Sequence, residues 1–268
     1  KFYGIKSHQC CQISLAVNYC DKDCLYCWRA RENFPFLGVD EPADVLEKAN
    51  HFQKKLLEGF KGLRGIDMKR FAESSEITSF AISLTGESLY YPKLNEFIKL
   101  ARNAGKNVFF VTHGGYPTAL NKIEAPTQLY LSMDAPNKEL FDILQRSKDK
   151  DAWKKYLESL KILEKLKSKT RTAVRLTLIY NMNMFDLEGY AKLIGIAQPN
   201  FIEVKSYMWM GYSKTKLLPR NSPFHSEIQE FCEKLVKLIP YKIADEQEVS
   251  RVVLLQRKGE KINRKLPF

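Results

Sequence analysis

The stretch CDKDCLYCWR, residues 20–29, decides how the rest of the chain is read. It places three thiols, Cys20, Cys24 and Cys27, at the spacing C-x3-C-x2-C, with the aromatic Tyr26 directly before the last. Thiolates are soft ligands suited to iron–sulfur clusters or zinc. A closed site of either kind takes four protein ligands, so three thiols leave one metal position open to a small molecule. The competing reading is a zinc knuckle completed by His8, Cys10, Cys11 or Cys232. A zinc ribbon more often pairs two C-x2-C halves, and this chain has one.

The chain has 268 residues, 44% of them hydrophobic, which suits one domain of α/β-barrel size. Six cysteines, five of them between positions 10 and 27, do not resemble a secreted disulfide scaffold. No apolar run approaches the roughly 18 residues of a membrane helix. The opening KFYGIK has neither an initiator Met nor a signal-peptide pattern. The expectation is a chain that begins inside a longer protein and works as a monomer in a reducing cytoplasm. Lys and Arg number 43 against 31 Asp and Glu, a net charge of +12. Such an excess favours a polyanion, most commonly nucleic acid, although Lys161, Lys165, Lys167 and Lys169 equally make a solvated helix face.

Apolar periodicity lays out strands alternating with helices. Residues 10–18 read as a strand entering the cysteine loop. Residues 41–59 read as a helix with Pro42 in its first turn and Gly59 and Gly62 at its end, and 61–76 as a polar surface connection. Further strands are expected at 80–87, 107–112, 128–133, 173–179 and 201–206, and a last one at 249–256. Helices are expected at 92–104, 138–145, 153–166, 187–197 and 224–238. Six core strands before the last predict an α/β fold, a partial (β/α)6 TIM-like barrel with a parallel sheet. The expectation is one domain over residues 1–268, with 240–268 as a C-terminal extension. Chemistry in such barrels collects on loops at the strands' C-terminal ends.

The candidate residues fall on those loops. Thr85-Gly86-Glu87 ends the second strand, where glycine permits close backbone approach and carbonyls with a carboxylate accept hydrogen bonds from an ammonium. A plain strand-ending turn is the bland alternative. Ser132 and Asp134 flank Met133, so alternation puts both on one face; Asp134, before Ala-Pro, equally reads as a turn cap. Arg175, Thr177, Tyr180, Glu203, Lys205 and Tyr207 are polar insertions in apolar strands. Buried charges are costly unless paired, so these residues pair with one another or line the barrel interior. His113 closes the third strand. His8, His51 and His225 read as structural or surface residues, and Cys232 as a buried hydrophobe.

These stretches together carry a resemblance. C-x3-C-x2-C with an aromatic before the last Cys is the pattern of the radical S-adenosylmethionine (SAM) enzymes. Further, YGIKSHQC (3–10), CDKDCLYCWR (20–29), AISLTGE (81–87), VTHGGYP (111–117), QLYLSMDAP (128–136), RLTL (175–178), FIEVKSYMWMGYS (201–213) and SRVVLLQRK (250–258) resemble the archaeal-type tRNA 4-demethylwyosine synthases over nearly the whole chain. The resemblance implies a [4Fe–4S] cluster on Cys20, Cys24 and Cys27. Its open iron binds SAM, and its electron cleaves SAM to a 5′-deoxyadenosyl radical. Tyr26, Thr85, Gly86, Glu87, Ser132 and Asp134 are the implied cofactor contacts. A second [4Fe–4S] cluster is implied with Cys10 as one ligand, or Cys11 in its place. Its other two cysteines, and a lysine forming a Schiff base with pyruvate, would precede Lys1.

The implied substrates are pyruvate and N1-methylguanosine of tRNA-Phe, with an electron donor, and the implied product is 4-demethylwyosine. A methyl on N1 of a purine has no acidic proton, so acid–base catalysis does not activate it, whereas a radical does. The base leaves its stack, and a basic surface holds the anticodon arm by its phosphates. Arg29 and the tail residues Arg257, Lys258, Lys261, Arg264 and Lys265 are expected on that rim. Two positions depart from the family's pattern: T-N-G reads Thr112-His113-Gly114, and G-E-P reads Gly86-Glu87-Ser88. Two other classes share parts of this reading. A radical SAM activating or maturation enzyme acting on a protein needs no polyanion site, and a zinc-containing RNA-binding module needs no iron or sulfide.

Alanine at Cys20, Cys24 or Cys27 is expected to abolish reductive cleavage of SAM in anaerobically reconstituted protein. The readout is 5′-deoxyadenosine, and a variant forming it at the wild-type rate removes that cysteine from the ligand set.

Overall fold

Alternating apolar side chains give the strands two faces, and the fold is built on both. The computed structural model describes residues 2–17, 19–30 and 38–266. Its strands are β1 (Cys10–Ile13), β2 (Ser79–Ile82), β3 (Asn107–Thr112), β4 (Gln128–Ser132), β5 (Arg171–Leu178), β6 (Phe201–Ser206), β7 (Tyr241–Gln247) and β8 (Val252–Arg257). The helices are α1 (Pro42–Glu58), α2 (Met68–Glu73), α3 (Leu94–Asn103), α4 (Pro117–Asn121), α5 (Lys138–Gln145), α6 (Ala152–Leu166), α7 (Leu187–Ala197) and α8 (His225–Leu235). One sheet runs in the order β1-β2-β3-β4-β5-β6-β8-β7. Strands β1 to β6 are parallel, β8 returns antiparallel to β6, and β7 pairs antiparallel outside it. This is the partial (β/α)6 barrel expected, extended by a hairpin.

On the outer face, Phe80, Ile82, Phe110, Leu129, Leu131, Val174, Leu176, Ile202 and Val204 are fully buried in one core with Phe97, Leu144, Tyr156, Leu163, Ile194 and Phe231 of the helices. The intervening residues face the concave interior. Phe2, Tyr3, Phe109, Tyr130, Phe201, Leu254 and Leu266 fill part of it as a second apolar cluster. Arg171 lies 5.1 Å from the centroids of both Tyr3 and Phe201.

The polar insertions of β5 and β6 meet on this inner face, where Arg175 and Glu203 are register partners. Glu203 Oε1 accepts from the hydroxyls of Tyr3 (2.9 Å) and Tyr130 (3.0 Å). Its Oε2 accepts from Arg175 Nε (3.1 Å) and Nη2 (2.9 Å). Pairing is therefore how these charges are accommodated. Lys205, two residues on, is different. Burial and then the Arg175 charge lower its pKa, against the pull of Glu203.

Several boundaries differ from the periodicity. Strands β1 and β2 stop at Ile13 and Ile82, because beyond them the chain forms loops that bond to each other. Ser83 N donates to Ile13 O (3.2 Å) and Thr85 N to Ser14 Oγ (2.9 Å). Asn18, at the end of the expected first strand, lies outside the described residues. The 61–76 connection contains α2, whose N-cap Asp67 accepts from Lys69 N and Arg70 N. Strand β7 has the pattern YKIADEQ, too polar for an apolar alternation to reveal. No helix among the described residues is long and apolar enough to cross a membrane.

Removing Glu203 leaves the Arg175 guanidinium without its counter-charge and two tyrosine hydroxyls without an acceptor. Glu203→Ala is expected to cost about 3–5 kcal/mol in denaturant unfolding, and Glu203→Gln less. A loss below about 1 kcal/mol for the Ala variant would mean that water already serves these groups.

Candidate active site at the cysteine loop

The cysteine loop leaves β1 and is fastened to the end of α5. Asp23 N donates to Gln145 O (3.1 Å) and Leu25 N to Leu144 O (2.9 Å). Lys22 is 1% exposed. Its ammonium donates to Gln145 Oε1 and to His113 O (3.2 Å), and lies 4.8 Å from the Phe141 centroid. Burial lowers the pKa of Lys22, while Cys24, Asp21, Glu87 and Cys20 oppose that fall.

The Thr85-Gly86-Glu87 turn packs against this loop. Gly86 has φ +73°, and a Cβ there would stand 1.7 Å from Ala16 O, so the position requires glycine. Glu87 N donates to Tyr19 O (2.7 Å). The Glu87 carboxylate, expected to face a ligand, is 1% exposed and engaged within the fold. It accepts from Leu89 N (3.1 Å), Thr112 Oγ1 (2.8 Å) and His113 N (2.9 Å). No group among the described residues donates to the carbonyls of Thr85 and Gly86, which leaves those oxygens as acceptors.

Strand β4 ends at Ser132, and Asp134 lies two residues beyond it. Ser132 lines the cavity beside the cysteines. Asp134 turns inward, is 2% exposed, and accepts from Thr177 N (2.9 Å) and Tyr26 OH (2.6 Å). Burial raises its pKa, opposed by those two hydrogen bonds. Tyr26 and Asp134 thus brace the loop through each other.

Cys20, Cys24 and Cys27 share one cavity of about 190 Å³ with Lys22, Arg29, Thr85, Gly86, Glu87, His113 and Ser132. All three are free thiols. Burial pushes the Cys24 thiol up to about 12, so at neutral pH it ionises when a metal replaces its proton. Three thiols around one cavity fit a cluster with an open position. Ligand atoms of Cys20, Asp21 and His113 also lie within 4.8 Å of one another. Here, however, His113 Nε2 faces Asp21 Oδ1 (3.1 Å) and Glu87 Oε2 (3.3 Å). Burial and Lys22 disfavour the imidazolium, but Glu87, Asp21 and Cys20 outweigh them and raise His113 to about 9.

Comparison with known proteins agrees with this geometry. Residues 15–194 match the radical SAM superfamily, and residues 196–257 match wyosine base formation. The S-adenosyl-L-methionine-dependent tRNA 4-demethylwyosine synthase of Pyrococcus horikoshii is 42% identical over 96% of this chain and 77% of that protein. The enzyme of that name from Methanocaldococcus jannaschii is 38% identical over 99% of this chain and 86% of that protein. The chain belongs to the tRNA 4-demethylwyosine synthase family. A solved structure of TYW1 with a lysine–pyruvate adduct bound is 37% identical, with a TM-score of 0.88 over 99% of this chain and 85% of that one. A radical SAM methyltransferase from Sphaerobacter thermophilus, 15% identical with a TM-score of 0.56 over 91% of this chain and 68% of that one, shares the fold alone. Membership in the synthase family makes this a radical SAM enzyme, with SAM and a [4Fe–4S] cluster as its cofactors.

Within the synthase fold, the expected basic rim divides. Arg29 lines the cysteine cavity. The tail residues Arg257, Lys258, Lys261, Arg264 and Lys265 follow β8, which runs antiparallel to β6 and therefore emerges at the opposite end of the sheet. Gln256 pairs with Phe201, Arg257 N donates to Asn200 O, and Arg171 donates to Arg264 O. Arg257 pairs with Glu260 and Arg264 with Asp245. The tail is thus corrected from the strands' C-terminal rim to their N-terminal end. The sequence reading gave no role to Lys22 or Lys216, whose partners lie far away in the chain.

Gly86→Ala is expected to displace the loop around Ala16. The left-handed backbone and the clash together cost roughly 2 kcal/mol or more, measurable as a lower Tm and less iron per chain after reconstitution. Wild-type values for both would show that the turn relaxes freely.

Proposed function

We propose that this enzyme converts N1-methylguanosine in tRNA-Phe to 4-demethylwyosine, taking carbon from pyruvate and electrons from an external donor. The observation that carries the reading is the join between the two family segments beside one cavity. The loop after β6 belongs to the wyosine-formation segment. Its Lys216 Nζ donates to Asp23 Oδ1 (2.6 Å) and Cys24 O (3.3 Å), and its Tyr212 N donates to Trp28 O (2.7 Å). The segment specific to wyosine formation is therefore bolted onto the cysteine loop.

The bound cluster and SAM supply one-electron chemistry able to take hydrogen from a methyl group that has no acidic proton. On this reading Cys20, Cys24 and Cys27 hold the cluster, with the Lys22 ammonium buried beside the thiolates as counter-charge. The open carbonyls of Thr85 and Gly86 receive the ammonium of SAM, and Ser132 offers its hydroxyl. Tyr26 and Asp134 fix the shape of the loop, and Glu87 ties its walls together. Arg175 is paired with Glu203, so Lys205, which has no salt-bridge partner among the described residues, is the cationic side chain of the concave face that suits the carboxylate of pyruvate.

A second cluster would take Cys10 rather than Cys11. Cys10 pairs with Ser79 and Cys11 with Phe80. Phe80 and Cys11 both lie in the outer core, Cys11 at 3% exposure, so alternation turns Cys10 to the concave face.

The deciding assay is anaerobic reconstitution, iron counting and incubation with pyruvate, SAM, a reductant and tRNA-Phe bearing N1-methylguanosine, followed by nucleoside mass spectrometry. 4-Demethylwyosine is the expected product; fully loaded protein that cleaves SAM without forming it overturns the reading. Cys10→Ala is expected to lower iron per chain while SAM cleavage persists. Loss of iron in Cys11→Ala alone would transfer the role to its neighbour.

A further inference from the structure

Three aromatic rings, one following the cysteine loop and two on the segment bonded to it, stand partly in solvent: Trp28 at 38% exposure, Trp209 at 37% and Tyr212 at 41%. Each carries a cation over its face. Arg29 lies 4.0 Å from the Trp28 centroid, Lys214 4.7 Å from that of Trp209, and Lys216 5.1 Å from that of Tyr212. The rings come from two distant stretches that the backbone locks together. Tyr212 N donates to Trp28 O (2.7 Å), and Gly211 (φ +54°) packs so closely that a Cβ would stand 2.2 Å from the same oxygen. Trp209 is anchored by its indole N–H, which donates to Leu217 O (2.8 Å). The rings are thus held in place before anything binds, which reduces the ordering cost of binding.

Large rings grouped at a surface mark an interaction site, and charge identifies the partner. Lys216 is engaged with Asp23. Among the described residues, Arg29 and Lys214 have no carboxylate partner. An apolar protein surface docking here would bury both cations unpaired, at a cost. Unpaired RNA suits the patch on both counts: its bases stack on the ring faces, and its phosphates meet the cations.

We infer that Trp28, Trp209 and Tyr212 form a stacking platform for unpaired nucleotides flanking the reacting base, with Arg29 and Lys214 on the intervening phosphates. The inference rests on the tRNA reading above and specifies which part of the RNA is gripped: the bases of a loop rather than the backbone of a duplex.

The test measures binding of a labelled anticodon stem–loop RNA carrying N1-methylguanosine across a KCl series, using the reconstituted protein. Trp28→Ala and Tyr212→Ala are each expected to weaken binding by about fivefold to a hundredfold. The slope of log affinity against log salt should not change, since no phosphate contact is lost. Lys214→Gln is expected to flatten that slope by about 0.7. Trp28→Phe and Tyr212→Phe keep a ring and should bind within about threefold of wild type, which separates lost stacking from misfolding. Wild-type affinity in both Ala variants overturns the platform while leaving the proposed function standing. Absence of salt-dependent RNA binding by the wild-type protein overturns both.

Discussion

The ammonium of Lys22 is almost wholly removed from water, and the site is assembled around the need to compensate it. An unpaired buried charge is strongly destabilising. Satisfying this one draws in the end of β3 through His113 O, the end of α5 through Gln145, and the surrounding acids and thiols. Glu87 performs the matching task from the other side, joining the turn after β2 to Thr112 and His113. The loop packs Leu25 and Tyr26 on the core, and these two opposite charges tie it to its neighbours.

This arrangement explains why the buried acids of the site are engaged within the frame. Glu87 and Asp134 each accept hydrogen bonds on both oxygens from within the chain. The carbonyls of Thr85 and Gly86 and the Ser132 hydroxyl, by contrast, have no hydrogen-bond partner among the described residues. Backbone groups held by a glycine turn need no side-chain ordering, and they stay in place if the cavity empties. His113 adds an ion pair with Asp21, which strengthens the link between β3 and the cysteine loop.

Much of the architecture was legible in sequence because each strand pairs a strongly apolar outer face with a helix of matching period. Strands β3 and β6 and helices α5 and α7 have the bounds that periodicity gives. The misreadings have physical causes. CCQISLAV stays apolar past Ile13 because the loop itself packs against the core, so β1 looked longer than it is. Strand direction leaves no trace in composition, so the turn-back of β8 and the true position of the basic tail were hidden. Lys22 sits between two aspartates and reads as solvated; only its contacts with residues 91 and 123 positions away show otherwise. Which of Cys10 and Cys11 faces the concave side depended on strand parity, which the register with Ser79 and Phe80 supplies.

Strand β7 ends the sheet among the described residues, and a strand edge is a template on which another chain can pair. Two features blunt it. The register slips between Ile243 and Asp245, and such a bulge bends the strand away from the flat geometry that pairing needs. Lys242, Asp245 and Glu246 then crowd charge into a few residues. A second molecule approaching edge to edge would meet a kinked, heavily charged ribbon. The polarity that concealed β7 from apolar periodicity is thus a guard against intermolecular β-pairing, the first step towards aggregation.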